Sequence, residues 1–135
     1  MTQLLLGLLL SLLLLGPAQP LQAAADPSEF DVAVVEHLRV KVPAEARQAW
    51  LDAERQSWEP WLQQQAGFLG RELLWDSARE EGTLLIRWAS RDQWKAIPEV
   101  EIETVQRRFE QLAKAATGSD SNPFPLVFEG ELLPP

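Results

Sequence analysis

What most restricts the fold of this chain is the order in which its apolar periodicity changes between Val32 and Leu132. Over Val32–Val42 apolar and polar residues alternate. Val34, Leu38, Val40 and Val42 point one way beside Glu36, while Val35, His37, Arg39 and Lys41 point the other. A period of two predicts a half-buried strand, and Pro43 both ends it and can open a helix. From Ala44 to about Gln65 the period becomes helical, with Ala46, Trp50, Ala53, Trp58, Trp61 and Leu62 on one broad side. Glu54 lies in the middle of that side. Pro60 lacks a backbone donor, so a kink or restart is expected there, and Gly67 closes the helix.

Phe68–Asp76 and Thr83–Ala89 read as two more strands joined by the short loop Ser77–Gly82. Ser90, with Gln93 three residues on, carries a capping-box signature. The helix it opens runs through Trp94 and Ile97, breaks at Pro98 and resumes through Ile102, Val105, Phe109 and Leu112. After a polar loop at Thr117–Asn122, Phe124–Leu132 alternates again. The order βαββαβ predicts an α+β, ferredoxin-like sandwich: a four-stranded antiparallel sheet with both helices on one face and the other face uncovered.

Ahead of this domain, Leu4–Leu15 is an apolar run of about 12 residues, against about 20 for a membrane-spanning helix. It has the length of a signal-peptide core, and Ala23-Ala24-Ala25 offers small residues for cleavage before Asp26. No Lys or Arg precedes the leucines, so an uncleaved anchor is the alternative. Residues 1–25 are therefore expected to be a signal peptide and residues 26–135 an exported domain, periplasmic, thylakoid-lumenal or secreted, with no stable membrane span after cleavage. The formal charge of −8 belongs wholly to that domain and argues against nucleic acid or an anionic membrane surface as partner. Without a cysteine there is no disulfide framework, so stability must come from a core, or from a core completed by a second subunit.

Several stretches resemble a known family: Val35-Glu36-His37-Leu38, Gly67-Phe68-Leu69-Gly70-Arg71-Glu72, Arg87-Trp88-Ala89-Ser90, Trp94-Lys95-Ala96-Ile97-Pro98 and Gln106–Phe109. Over roughly residues 34–110 the chain resembles the dimeric α+β barrel superfamily, in particular antibiotic-biosynthesis monooxygenases. The resemblance is strongest to a group of small, mostly cyanobacterial proteins. It implies a homodimer formed through the open sheet faces and a pocket between sheet and helices. Relatives include oxygenases that act on aromatic polyketides without a cofactor and haem degraders. Many active relatives carry a His about nine residues beyond the tryptophan of Trp-x-Ser; here that position is Ile97, which weighs against both chemistries.

The residues themselves suggest a ligand site. His37 is the one histidine, a candidate base or donor, or else a residue of a sheet-face contact. By strand parity Arg39, Arg71 and Arg87 share its face and would form a cationic patch for an organic anion, unless Glu129 and Glu131 pair with them. Trp88 and Trp94, with Trp61, would wall a pocket for an aromatic molecule, or simply build core. Glu54 on the apolar helix side would have a raised pKa unless Arg47 or Lys95 pairs with it. Parity also places Glu36 and Glu72 towards the helices, provided no bulge occurs near Gly70. With one His and no Cys, a zinc or other transition-metal site is not expected, and no cofactor is expected. A non-catalytic dimeric interaction domain is the alternative function.

Overall fold

Alternation along the strands builds the sheet seen in a computed structural model, which describes residues 32–135. The leader, residues 1–25, and the lead-in up to Asp31 lie outside the described residues. Strand β1 (Val34–Lys41) pairs antiparallel with β3 (Glu81–Trp88) on one side and β4 (Leu126–Leu132) on the other. β2 (Phe68–Asp76) joins the far side of β3, giving the order β2-β3-β1-β4. A single 3-10 turn at Ala44–Ala46 leads into α1 (Arg47–Gln56) and α2 (Trp58–Leu62), while α3 (Arg91–Lys95) and α4 (Glu99–Thr117) connect β3 to β4. The fold is the ferredoxin-like α+β sandwich that the periodicities predict. No helix among the described residues is long and apolar enough to cross a membrane.

The first helix breaks at Ser57, a turn ahead of the proline. Pro60 has no N–H to give the carbonyl of Gln56, four residues back. That carbonyl accepts instead from Arg108 Nε of α4 at 3.1 Å. Ser57 takes φ −125° and ψ −79°, and its Oγ donates to the Ala53 carbonyl at 2.6 Å. The orphaned acceptor thus ties the two main helical segments together. At the second helix Ser90 Oγ accepts from the Gln93 amide at 3.2 Å, as its spacing predicts.

The helices cover one sheet face. Val34, Leu84, Ile86 and Trp88 from the strands meet Trp50, Ala53, Leu62, Val105, Phe109 and Ala113 from the helices, all buried. Phe124, just before β4, is 1% exposed and packs beside Phe109 rather than lying in the strand. The Trp50 ring lies over Gly82, where an added Cβ would stand 2.5 Å from the indole. Gly82→Ala should therefore cost about 1–3 kcal/mol, because neither the strand nor a fully buried indole can give way. Calorimetry should show a melting temperature lower by several degrees in a domain of this size; an unchanged value would mean the ring can move.

One irregularity decides which side chains face the helices. Phe68 pairs with Trp88 and Gly70 with Arg87, so Leu69 and Gly70 together oppose one residue of β3. Gly70 sits at φ +134°, a backbone region that residues with a Cβ rarely enter. This bulge reverses the strand parity of everything after it.

Candidate functional site

Between the helices and the inner face of the sheet lies a cavity of about 430 Å³. Its floor is apolar strand surface: Leu38 and Val40 of β1 and Leu84 and Ile86 of β3. Trp58 and Trp61 of the broken helix stand against it from one direction, edge to face at 5.6 Å. Trp88 and Trp94 stand against it from another, stacked at 6.3 Å with planes 14° apart. Ile97, Ile102, Gln106 and Phe109 complete the α3–α4 side, and Phe124, Leu126 and Glu129 the β4 side.

Four ionisable groups line this apolar space: Glu36 of β1, Glu54 of α1, Arg71 of β2 and Glu129 of β4. Arg71 Nη1 donates to Glu54 Oε2 at 2.5 Å, and the two side chains are only 6% and 3% exposed. Arg71 Nη2 also reaches the Glu54 carbonyl at 3.4 Å. Burial pushes the Glu54 carboxyl above its ordinary value, against the pull of the Arg71 guanidinium. Glu36 stands alone by comparison. Its polar contact is the Trp88 indole N–H, which donates to Oε2 at a long 3.4 Å. Burial raises its pKa to about 7; the Trp88 hydrogen bond and the Lys95 charge oppose the rise, while Glu129 adds to it. A carboxyl poised there can accept or return a proton near neutral pH.

The residues singled out from the sequence divide between two faces. Glu54, Arg71, Trp88 and Trp94 line the cavity. His37, Arg39, Glu72 and Arg87 lie on the open face. The grouping of Arg71 with Arg39 and Arg87, and of Glu72 with Glu36, is thereby corrected: the Gly70 bulge turns Arg71 inward to meet Glu54 and turns Glu72 outward to pair with Arg87. The cationic patch does not form. Arg39 lies 3.7 Å from Glu81 and over the Phe128 ring at 4.5 Å, so each of the three arginines has a carboxylate of the same chain. Nor do Glu129 and Glu131 serve as their partners. Glu131 takes Arg91 at 3.0 Å and Lys95 at 3.8 Å, and the Arg91 guanidinium holds its carboxyl below the ordinary value. Glu54 pairs with neither Arg47 nor Lys95. His37 packs against the Phe128 ring at 4.9 Å.

Sequence reasoning left Trp58, Gln106 and Glu129 out of the candidate site, and turned Glu36 towards the helices without naming it among the ligand contacts. The signal for Glu36 was present, since parity aligns it with Val34, Leu38 and Val40. Glu129 faces inward because β4 itself slips register opposite Arg39/Val40, which alternation alone does not reveal. Among the described residues no group of three or more His, Cys, Asp or Glu side chains is placed to hold a metal ion.

No family model matches the chain, and no curated protein matches it. Solved structures do. A monooxygenase of Streptomyces coelicolor in complex with nanaomycin D is 12% identical, with a TM-score of 0.58 over 78% of this chain and 89% of the other. A protein of Bordetella bronchiseptica assigned as an antibiotic biosynthesis monooxygenase is 13% identical, with a TM-score of 0.55 over 76% of this chain and 97% of the other. At such identities the likeness carries the fold alone.

Proposed function

We propose that this chain binds a small, largely apolar aromatic molecule in the cavity between sheet and helices, and that Glu36 takes a proton from a phenolic hydroxyl of that molecule. The observation that carries the reading is one carboxyl titrating near neutral pH within an aromatic-walled cavity of about 430 Å³. Cavities of this size and lining are those that hold small molecules. The reaction class we infer is oxidation by dioxygen without a cofactor. Loss of the proton to Glu36 leaves an electron-rich phenolate. One oxygen atom becomes a carbonyl at a ring C–H position, and the other leaves as water with the phenolic and ring hydrogens. The monooxygenase assignments of the two structural neighbours support that class. An organic anion, the other ligand class expected from the arginines, has less support because each of those arginines already faces a carboxylate.

Calorimetric titration with 1-naphthol and 1,5-dihydroxynaphthalene tests the binding step. Saturable heat is expected from the full chain and none from Ile86→Trp, which fills the cavity floor; melting curves confirm that the variant folds. Silence at millimolar concentration, or equal heat from the filled variant, overturns the reading.

A homodimer through the open sheet face is favoured by what that face and its edge expose: Phe128 at 37%, Leu132 at 46% and Leu74 at 50%. An unpartnered apolar edge strand is a surface that a second chain can cover. Native mass spectrometry at tens of micromolar should find twice the chain mass, and a monomer there overturns it. We also read the leader as an export signal; a recovered protein beginning at Asp26 is the expected outcome.

A further inference from the structure

The charges lining the cavity are unbalanced. Three carboxylates, Glu36, Glu54 and Glu129, face one guanidinium, that of Arg71. Arg71 is fully engaged by Glu54 at 2.5 Å. What remains for a ligand is therefore negative: Glu36, held only by the long contact from Trp88, and Glu129, which has no ion pair within 4 Å among the described residues. Around these two stand four indoles in two pairs, Trp58 with Trp61 and Trp88 with Trp94. Indole faces attract cations through their quadrupole, most strongly where water is excluded. The molecule already uses this attraction once, since Lys95 Nζ lies 3.8 Å from the Trp94 ring centroid.

Resting on the reading of the cavity as a binding site, we propose that it selects aromatic ligands bearing a positively charged ammonium group, caged by Trp58, Trp61, Trp88 and Trp94 and neutralised by Glu36 and Glu129. The cavity offers a cation two carboxylates and four indoles along its walls, whereas an anionic ligand would meet two like charges or have to take Arg71 from Glu54. A neutral phenol fits the same cavity but leaves Glu36 without a counter-charge. The groups that bear on Glu36 are Lys95 from α3, Glu129 and Glu131 from β4, and the Glu54–Arg71 pair from α1 and β2. Lys95 is shared with Glu131 at 3.8 Å and with the Trp94 ring, so it does not neutralise Glu36 on its own. Because Glu36 titrates near pH 7, a permanent cation should bind more tightly as pH rises from 6 to 8, while a neutral ligand should not.

The test is calorimetric titration of the full chain with three naphthalenes that differ in one substituent: (2-naphthylmethyl)trimethylammonium, 2-naphthylmethanol and 2-naphthylacetate. The ammonium compound is expected to bind about 10-fold or more tighter than the alcohol, a difference within reach of desolvated cation–aromatic contacts, and the acetate weakest. Its advantage should shrink towards unity in the Glu36→Gln/Glu129→Gln double variant, with Glu129→Gln alone, on an exposed strand, as the milder control. If the alcohol binds as well as or better than the ammonium compound, the charge selection is wrong while the cavity reading stands. An ammonium preference untouched by both substitutions also overturns it, because the cation then sits elsewhere. If none of the three binds, the cavity reading itself fails and this inference with it.

Discussion

Replacing Arg71 with alanine should destabilise the domain by about 3–5 kcal/mol, the usual loss when one partner of a buried ion pair is removed. The size follows from geometry. Glu54 is 3% exposed and its direct partner is Arg71, so the variant leaves a buried carboxylate without its counter-charge. A domain of this size is stable by only about 5–15 kcal/mol in total, and the loss would be visible as a large shift in urea midpoint. The double variant Glu54→Gln/Arg71→Met should lose much less, since it removes the uncompensated charge. A loss below about 1 kcal/mol in Arg71→Ala would mean that water reaches the pair. Since Arg71 points inward, alanine there says nothing about a dimer contact; Arg87, on the open face beside Glu72, is the position that does.

Replacing Glu36 with glutamine should act on stability and on turnover in opposite senses. In the folded chain the carboxyl titrates near 7 rather than at its ordinary 4.5 because burial penalises its charge. Between those values the folded state holds a proton that the unfolded state has released. Stability is therefore fully present below about pH 4.5 and is lost as pH rises through 7, by up to about 3 kcal/mol for a shift of this size. Glutamine never ionises. The difference in stability between Glu36→Gln and the wild type should thus grow by that amount from pH 4.5 to pH 8, read from urea unfolding at each pH. A difference that stays constant would place the Glu36 carboxyl in solvent. If Glu36 is the proton acceptor proposed above, the same variant should oxidise phenols about 10²–10⁴-fold more slowly, the usual contribution of a positioned base, while still binding them. Oxygen uptake separates the two effects, because the variant is then the more stable protein and the slower catalyst.

Much of the architecture was legible in the sequence because burial periodicity is a direct consequence of strand and helix geometry. Four strands, two helical connections and the aromatic wall around Trp61, Trp88 and Trp94 follow from where apolar residues recur. What alternation cannot encode is a count error in the pairing. Gly70 displaces one residue, and the readings of Arg71 and Glu72 change places; β4 slips opposite Arg39/Val40, and Glu129 enters the cavity. Pro60 marked the helix break correctly in kind but not in place, because the restart is set by the carbonyl it strands at Gln56, and Arg108, 52 residues away, claims that carbonyl. Pairing partners posed the same difficulty: Arg71 for Glu54 and Arg91 for Glu131 are tertiary neighbours with no local signature.

The extra residue at Leu69–Gly70 makes side-chain direction in β2 behave like a reading frame. If the same residues paired in strict alternation from Phe68, with no bulge, Glu72 would turn towards Glu54 and Arg71 out to solvent. A one-residue slip of the pairing would then do what two charge substitutions do: set two carboxylates against each other inside the domain and abolish its buried ion pair. Point changes along β2 can adjust the cavity gradually, whereas a change of register at this spot exchanges its chemistry wholesale.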